Sequence, residues 1–359
     1  MGISRSSVVV AVKALVAAAV LTLCSSIVVL HAEPIRGAGS TFAAPVLSKW
    51  AANYLEVRTD GGDFRSPDWT VDYEPVGSLA GIMRLRQQEM DFAATDAPLP
   101  PDQIVKNGYA QFPIVFGGIA VVVNIEGVEP GRLRLTGPLL ADIYLGKVQK
   151  WSDASITSLN PDLKLPDQDI IVAHRSDGSG STFVFTQYLE TNSSEWRMGY
   201  GADTLINWPV GTGAKGSQGI IKAIAATPGS IGYVEYGQVA RARLAYALLR
   251  NKAGQFVQPS AHSIQAAVDS VDWAKSSHFF ESLTDRPGKH VYPLAAATYA
   301  VLARRDREGD RIRRAFDFFN LAFEKGASDA STLGYVAVGP ELVKQVRRYW
   351  EISARTARR

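Results

Sequence analysis

The sequence predicts an α/β fold with two domains, each built on a sheet flanked by helices. Apolar strand-like runs alternate with helical segments along the chain, a pattern typical of βα units with mostly parallel strands. One run, "FPIVFGGIAVVVN" (112–124), is apolar on both faces, as in a strand that helices cover on both sides. The chain has 359 residues, and a single hydrophobic core rarely grows past about 250–300 residues. Together these observations favour two α/β domains.

The elements before this buried run follow from turn residues and periodicity. They are a glycine-rich turn and helix in "GAGSTFAAPVLSKWAANYLEV" (37–57), a strand and turn in "TVDYEPVGS" (70–78), a helix capped by Ser78 in "SLAGIMRLRQQEM" (78–90), and a strand running into a proline-rich loop in "DFAATDAPLP" (91–100).

The elements after it repeat the alternation. They are helical segments at 136–147 and 151–161, a strand in "DIIVAHRS" (169–176), a turn and helix in "DGSGSTFVFTQYLE" (177–190), a helix, Pro-Gly turn and strand at 216–236, an apolar strand in "HVYPLAAATYAVLARR" (290–305), and helices at 311–326 and 340–354.

The first 32 residues have the features of a cleavable secretory signal. Arg5 and Lys13 accompany a long apolar run without an acidic residue, and the run ends in "LHA" before Glu33. We predict cleavage after Ala32 and secretion of the mature chain. The alternative is an uncleaved anchor, because residues 8–30 approach the length of a membrane span.

Cys24 is the only cysteine of the chain. It would be a poor lipid acceptor, because the bulky Leu23 precedes it, although lipidation stays an alternative. After cleavage at Ala32 no cysteine remains, which excludes disulfides and thiolate metal sites from the mature chain.

The charge balance argues against nucleic acid as a partner. The chain has 38 basic and 35 acidic residues, and removal of 1–32 takes away two basic ones, which leaves a net charge of +1. No basic-aromatic motif of a nucleic-acid module is present. The specificity of any anion site must therefore come from local placement of donors.

Three strand-to-helix junctions are rich in glycine and hydroxyl side chains. They are "GAGSTF" (37–42), "PVGSLAG" (75–81) and "HRSDGSGST" (174–182). Free amides at a helix start favour negative charge, and glycine lets a ligand approach the backbone closely. Each junction alone is most simply a helix cap, but three of them, one with Arg175, predict an anion site.

The motifs of known enzyme classes do not fit. In "VGTGAKGSQG" (210–219) the lysine precedes Gly216, so the phosphate-loop order is broken, and the residues around Ser179 do not form a nucleophile elbow. The histidines have no metal-ligand spacing, and His174 at a strand end is best interpreted as structural. We therefore predict no catalytic residue, no metal and no cofactor.

The motifs "GAGSTFAAPVLSKWA", "DFAATDAPL", "FGGIAVVVNI", "DIYLGKVQKWSD", "RSDGSGSTFVFTQYL" and "GSIGYVEY" closely resemble the PstS-like family, the periplasmic phosphate-binding proteins of the phosphate-specific ABC transporter. The resemblance runs from about Gly37 to Trp350. It implies a type II-like periplasmic binding protein fold with two lobes and two hinge crossovers, each lobe a mixed, mostly parallel sheet flanked by helices. The implied lobes are 33–115 with 298–359, and 116–297, with "PIVFGG" and "PLAAATYAVL" as crossovers.

The resemblance also implies which residues hold phosphate by hydrogen bonds alone. Asp96 matches the carboxylate that faces the ligand, Arg175 the cation, and Asp177 the carboxylate that orients this cation. The remaining matched residues supply hydroxyls and amides: Thr41, Phe42, Ser78, Ser179, Gly180 and Ser181. Ser181 stands where the family pattern has Thr, and Leu79 where it has a small residue; neither change removes a donor.

Asp96 predicts discrimination between anions. A carboxylate can face phosphate because phosphate brings a proton to share, whereas sulfate has none near neutral pH. The implied partners are inorganic phosphate and the transmembrane permease subunits of an ABC importer, and we expect a monomer.

Other functions stay open on the sequence. Arsenate also carries protons and is not excluded, whereas Asp96 argues against sulfate and molybdate. A secreted phosphohydrolase would need a nucleophile or a base beside a metal, and no such cluster is visible. A surface adhesin or sensor that keeps this fold is the last alternative.

Overall fold

The structure, a computed structural model, describes residues 33–59, 70–303 and 309–356. The predicted signal peptide and Cys24 lie outside these residues. The strands are β1 (Ile35–Gly39), β2 (Val71–Glu74), β3 (Phe92–Thr95), β4 (Tyr109–Val123), β5 (Arg134–Leu135), β6 (Ile171–Arg175), β7 (Thr212–Ala214), β8 (Ser230–Glu235), β9 (Ala245–Tyr246), β10 (Leu248–Arg250), β11 (Phe256–Val257), β12 (Ala295–Ala303) and β13 (Val336–Ala337).

Helices lie between and after these strands, and those at 101–107, 194–199, 236–242, 261–269 and 327–332 fall outside the predicted helical segments. The helices are α1 (Ala44–Arg58), α2 (Ser78–Arg86), α3 (Pro101–Asn107), α4 (Gly137–Tyr144), α5 (Ala154–Thr157), α6 (Gly180–Asn192), α7 (Ser194–Gly199), α8 (Gly216–Ala226), α9 (Tyr236–Ala242), α10 (Ala261–Asp269), α11 (Gly309–Lys325), α12 (Ala327–Thr332) and α13 (Pro340–Thr356), with 3₁₀ turns at Trp273–Lys275 and Ser277–Phe279.

Strand β4 runs through the middle of the large sheet, and all its residues are buried, as the apolar run predicts. Within the described residues the strand order is β2-β1-β3-β12-β4-β8-β6-β7, and β13 and β9 also pair with β4. Residues 109–118 of β4 pair with β12, whereas 119–123 pair with β8. One strand therefore joins two halves of the sheet.

The pairing is mixed. The outer strands pair in parallel, β1 with β2 and β3 on one side and β6 with β7 and β8 on the other. The central strands β12 and β4 pair antiparallel to each other and to the β3 and β8 beside them. Within the large sheet parallel pairing is thus confined to the flanks, because both central strands run antiparallel to their neighbours.

Each half has its own group of packed aromatic rings. In the first half Phe92 and Phe112 make edge contacts with Phe319 of α11, at ring-centre distances of 5.1 and 5.5 Å. In the second half Phe185 of α6 stacks on Tyr233 of β8 at 4.3 Å. These contacts fix the helices against the sheet on both sides of the centre of β4.

Strand directions place the three polar junctions together. Strands β1 and β3 run in the same direction as β4 and lie beside its first part, whereas β6 and β8 run in the opposite direction beside its last part. The carboxyl ends of the two sets therefore point toward each other near the middle of β4. Ligands bind at such carboxyl ends in α/β sheets.

Candidate functional site

Asp96 follows the end of β3, and its carboxylate is the buried acidic centre of the site. The residue is 3% exposed. The Asp96 Oδ1 atom accepts hydrogen bonds from Ser40 Oγ and Thr298 Oγ1, each over 2.7 Å. Burial raises the pKa of Asp96 to about 6, although both hydroxyls and the charge of Arg175 act against this rise. Asp96 is therefore mainly ionised at pH 7 and protonated at pH 5.

Arg175 ends β6 and forms a fork-like ion pair with Asp177. The Nε and Nη2 atoms donate to the two carboxylate oxygens over 2.7 and 2.5 Å, and the side chains are only 3% and 9% exposed. Burial by itself would raise the pKa of Asp177, but the hydrogen bonds and charge of Arg175 and the Gly216 amide hold it below the usual value. The guanidinium is thus fixed in orientation, and its charge is largely offset.

Ser78 joins the second and third junctions, and here the predicted helix cap is wrong. Helix α2 begins at Ser78 itself, with Gly77 at the cap position and no side-chain cap. Gly77 has a φ of 96°, which favours glycine. The Ser78 Oγ atom instead accepts from the amides of Gly180 and Asp96, over 3.1 and 3.3 Å. Its hydroxyl proton stays available for another acceptor.

Gly180 begins α6 directly against Asp96. A Cβ atom on this glycine would lie 2.6 Å from Ser78 Oγ and 2.7 Å from the Asp96 backbone nitrogen, so only glycine fits. Ser179 caps the helix, with its Oγ accepting from the Thr182 amide over 3.3 Å. The start of α6 is therefore held next to the buried carboxylate, where its dipole favours an anion.

The other predicted ligand residues lie beside this cluster. Thr41 Oγ1 is 3.0 Å from Ser217 Oγ and accepts from the Ser217 amide over 3.3 Å. The Phe42 amide donates to Ser40 Oγ over 3.1 Å. Ser181 is buried in the first turn of α6. The structure thus brings all three junctions together, while their contact with phosphate stays a prediction.

A second group of contacts fixes the carbonyls that follow β1. The Gln238 side chain donates to the carbonyls of Thr41 and Phe42, over 3.0 and 3.3 Å. The Tyr335 hydroxyl donates to the Phe42 carbonyl over 2.7 Å and lies 3.2 Å from the Glu235 carboxylate. Burial raises the pKa of Glu235 to about 7. The first junction is therefore fixed by hydrogen bonds from Gln238 of α9 and from Tyr335, which follows α12.

Sequence reasoning missed four residues of this arrangement. Ser40 and Thr298 hold the Asp96 carboxylate, the Gly216 amide donates to Asp177 Oδ1 over 2.9 Å, and Ser217 contacts Thr41. Thr298 is the only hydroxyl residue between Leu294 and Tyr299, which was a usable signal. The glycine-rich loop 210–219, to which the sequence assigned no role, was a second signal, because the amide of its Gly216 donates to Asp177.

His174 is structural, as predicted. Its ring stacks on Trp208 at a centre distance of 5.0 Å with planes 17° apart, and Nδ1 lies 3.2 Å from the Arg175 carbonyl. Burial keeps the pKa of His174 below its usual value. The ring therefore packs behind the third junction as a neutral group.

Two features of the described residues bear on the class of site. In the part of the chain that the structure describes, no group of three or more His, Cys, Asp or Glu residues is arranged to hold a metal ion. None of the described helices is long and apolar enough to cross a membrane. The assembled groups are amides, hydroxyls, one paired cation and one buried carboxylate, which suits a partly protonated anion.

Comparison with known proteins agrees with this chemistry. A family model described as "PBP superfamily domain" matches residues 22–316. The phosphate-binding protein PstS of Xylella fastidiosa is 41% identical over 316 residues, covering 88% of this chain and 84% of that protein. PstS of Pasteurella multocida is 38% identical over 327 residues, covering 91% and 92%. A phosphate-bound structure of a putative phosphate ABC transporter substrate-binding protein from Clostridium perfringens shares the fold, with a TM-score of 0.59, 17% identity and coverage of 86% and 100%.

Proposed function

Because the chain belongs to the PstS phosphate-binding proteins of the PBP superfamily, we propose that it captures inorganic phosphate at the three junctions and delivers it to the permease of an ABC importer. The observation that carries the proposal is the buried Asp96 carboxylate among neutral donors. A site with many donors and one acceptor matches an anion that carries both charge and a proton.

Asp96 accounts for the choice between phosphate and sulfate. Phosphate near neutral pH can donate its proton to the carboxylate, so the buried charge gains a partner. Sulfate would put an oxygen lone pair against the same charge, which leaves a buried acceptor unsatisfied. A site built to form such a hydrogen bond discriminates by roughly 10⁴–10⁵-fold against an analogue that cannot form it.

Arg175 supplies the directed positive charge. Asp177 holds its Nε and Nη2 atoms, which leaves Nη1 and the second proton of Nη2 as donors in a fixed plane. The remaining stabilisation comes from neutral groups, the hydroxyls of Thr41, Ser78, Ser179 and Ser181 and the amides at the start of α6. The near-zero net charge predicted for the mature chain is consistent with this scheme.

The sheet topology supports the proposed division into two lobes, 33–115 with 298–359 and 116–297. The crossing point of β4 from β12 to β8 falls at 118–119, close to the proposed boundary. Contacts of Ser78 with Gly180 and of Thr41 with Ser217 would then join the lobes across a closed cleft. Phosphate would stabilise this closed form by contacting both lobes at once.

Isothermal titration tests the proposal. Purified protein freed of phosphate is titrated with phosphate and then with sulfate, at pH 7 and matched ionic strength. We expect tight one-to-one binding of phosphate and no heat with sulfate. Equal binding of both anions would contradict the role of Asp96, and binding of neither would contradict the function. A third titration with arsenate measures the preference between the two protonated anions.

Transport and export need separate tests. We propose that the permease subunits recognise the closed, phosphate-loaded form at the outer face of the membrane, with the chain acting as a monomer in the periplasm. Phosphate uptake should be restored when the full chain is expressed in a bacterium that lacks its own phosphate-binding protein. N-terminal sequencing of the periplasmic product should begin at Glu33.

We propose no catalytic role, because the family to which the chain belongs consists of binding proteins. Incubation with p-nitrophenyl phosphate, with and without added divalent metal, tests this point. Release of p-nitrophenol above that of an Asp96→Asn, Arg175→Ala double variant would contradict the proposal.

A further inference from the structure

Two hydroxyls from separate elements hold the same oxygen of Asp96. Ser40 follows β1, Asp96 follows β3, and Thr298 lies within β12. The two hydrogen bonds to Oδ1 are both 2.7 Å long, and all three residues are at most 3% exposed. Among the described residues, every hydrogen bond to this carboxylate goes to Oδ1. The Oδ2 atom is thus distinguished from Oδ1 by its surroundings.

The direction of the Ser40 hydrogen bond is determined by its other contacts. Ser40 Oγ accepts from the amides of Phe42 and Ala43, over 3.1 and 3.2 Å. These two donors occupy the lone pairs of the hydroxyl oxygen. Its single proton is therefore directed to Asp96 Oδ1, and an ionised carboxylate accepts it.

Thr298 adds a second donor to the same oxygen. Its Oγ1 lies 2.7 Å from Asp96 Oδ1, and the side chain is fully buried. With two donors on Oδ1, a proton bound to Asp96 has to sit on Oδ2. The oxygen that gains or loses a proton is thus the one that does not contact the hydroxyls.

We propose that Ser40 and Thr298 are positioning residues that keep Asp96 ionised and present Oδ2 to the proton of the ligand, an inference that rests on the proposed phosphate-binding function. Together they set the pH below which the site ceases to reject an oxyanion without a proton. Below that pH a protonated Oδ2 donates to sulfate instead of repelling it.

The other charged groups around Asp96 do not replace this pair. Arg175 acts on Asp96 through its charge, but its guanidinium is engaged by Asp177. Tyr73 and Tyr335 also lie close enough to Asp96 to interact with its charge. Burial raises the pKa of both phenols well above the usual value, so they stay neutral. The two hydroxyls are therefore the direct donors that stabilise the ionised form.

Thr298→Val is the informative variant, because it keeps the shape of the side chain and removes one donor. We measure the dissociation constants for phosphate and sulfate from pH 5 to 8 in wild type, Thr298→Val and Thr298→Ser. A hydrogen bond to a charged group contributes enough to move a titration by about one pH unit. In Thr298→Val we expect the pH at which sulfate binding begins to rise by about one unit, so that sulfate binds roughly 10-fold more tightly at a given pH within the transition. In Thr298→Ser this pH should return to its wild-type value.

The controls distinguish a failure of the positioning role from a failure of the proposed phosphate-binding function. Thr186→Val removes a buried hydroxyl that donates to the Thr182 carbonyl, and it should leave the sulfate profile in place. Wild type that binds no phosphate would overturn the function itself. Wild type that rejects sulfate while Thr298→Val keeps the same pH profile would overturn only the positioning role. Should Thr298→Val not fold, Ser40→Ala tests the same shift, with the amides of Phe42 and Ala43 also released.

Discussion

The Gly180 amide donates to Ser78 Oγ over 3.1 Å, and this contact joins the start of α6 to the start of α2. The two residues lie on opposite sides of the proposed cleft. A Cβ atom at position 180 would meet Ser78 Oγ at 2.6 Å and the Asp96 backbone at 2.7 Å. Closure of the site therefore depends on the absence of a side chain at this position.

Gly180→Ala should weaken phosphate binding strongly while the protein still folds. The added methyl keeps α6 from approaching Asp96, and we expect a loss of at least about 10-fold in affinity, in line with the roughly 1–3 kcal/mol cost of overpacking. Titration calorimetry measures the loss. Gly199→Ala in α7 is the matched control, because a Cβ there meets no atom within 4 Å. Equal affinity in both variants would contradict the closed arrangement.

Arg175→Ala should lower both affinity and stability. Loss of a charge-assisted hydrogen bond to the anion costs about 1.5–3 kcal/mol of binding. Asp177 would also lose its partner while only 9% exposed, and an unpaired buried charge is strongly destabilising. Thermal unfolding and titration calorimetry measure the two losses.

The double variant Arg175→Ala, Asp177→Ala separates these effects. Without the carboxylate no buried charge is left unpaired, so the melting temperature should recover toward that of wild type. Phosphate affinity should stay low, because the cation is still absent. Recovery of affinity in the double variant would mean that Arg175 does not contact the ligand.

How much of this site could be predicted depended on where its signals lay. Arg175 and Asp177 lie two residues apart in one motif, and the ion pair that the resemblance implied between them is present. The contact of Asp96 and Arg175 with the ligand stays a prediction. Ser40 was overlooked because its neighbour Thr41 has the same chemistry, and only the backbone direction after β1 shows that Ser40 turns inward. Thr298 lies some 200 residues from Asp96 in sequence, and strand pairing alone brings them together.

The periodicity of the sequence predicted the main strands and helices, but it did not predict the order of the strands in the sheet. The apolar runs predicted β4 and β12 as strands, since burial on both faces leaves a clear pattern. Their antiparallel pairing depends on contacts that no local window contains, and it limits parallel pairing to the flanks. Ser78 was misassigned as a cap because serine before a helix usually is one, whereas here Gly77 takes the cap position and frees the hydroxyl.

Tyr335→Phe should destabilise the protein by about 0.5–1.5 kcal/mol, the net contribution of a hydrogen bond, because the Phe42 carbonyl keeps its Gln238 donor. The lost hydroxyl donates to the Phe42 carbonyl and lies 3.2 Å from the Glu235 carboxylate. Chemical denaturation measures the change in unfolding free energy. Tyr200→Phe, at a more exposed ring in the described chain, serves as control and should unfold like wild type. Equal midpoints for both variants would show that the hydroxyl contributes nothing to stability.

Asp96→Asn should change how stability depends on pH in the phosphate-free protein. Burial raises the pKa of Asp96 from 3.8 to about 6 in the folded state, so the folded protein binds this proton more tightly than the unfolded chain. The stability that the proton contributes is present below pH 3.8 and is lost as pH rises through about 6. A rise of about two units corresponds to about 3 kcal/mol, and asparagine does not titrate. The variant should therefore gain stability over wild type as pH rises from 4 to 7.5, by up to about 3 kcal/mol, measured by urea denaturation in phosphate-free buffers. A difference that stays constant over this range would mean that Asp96 titrates normally in the fold and is still ionised at pH 5, and it would remove the physical basis for the predicted binding of sulfate near pH 5.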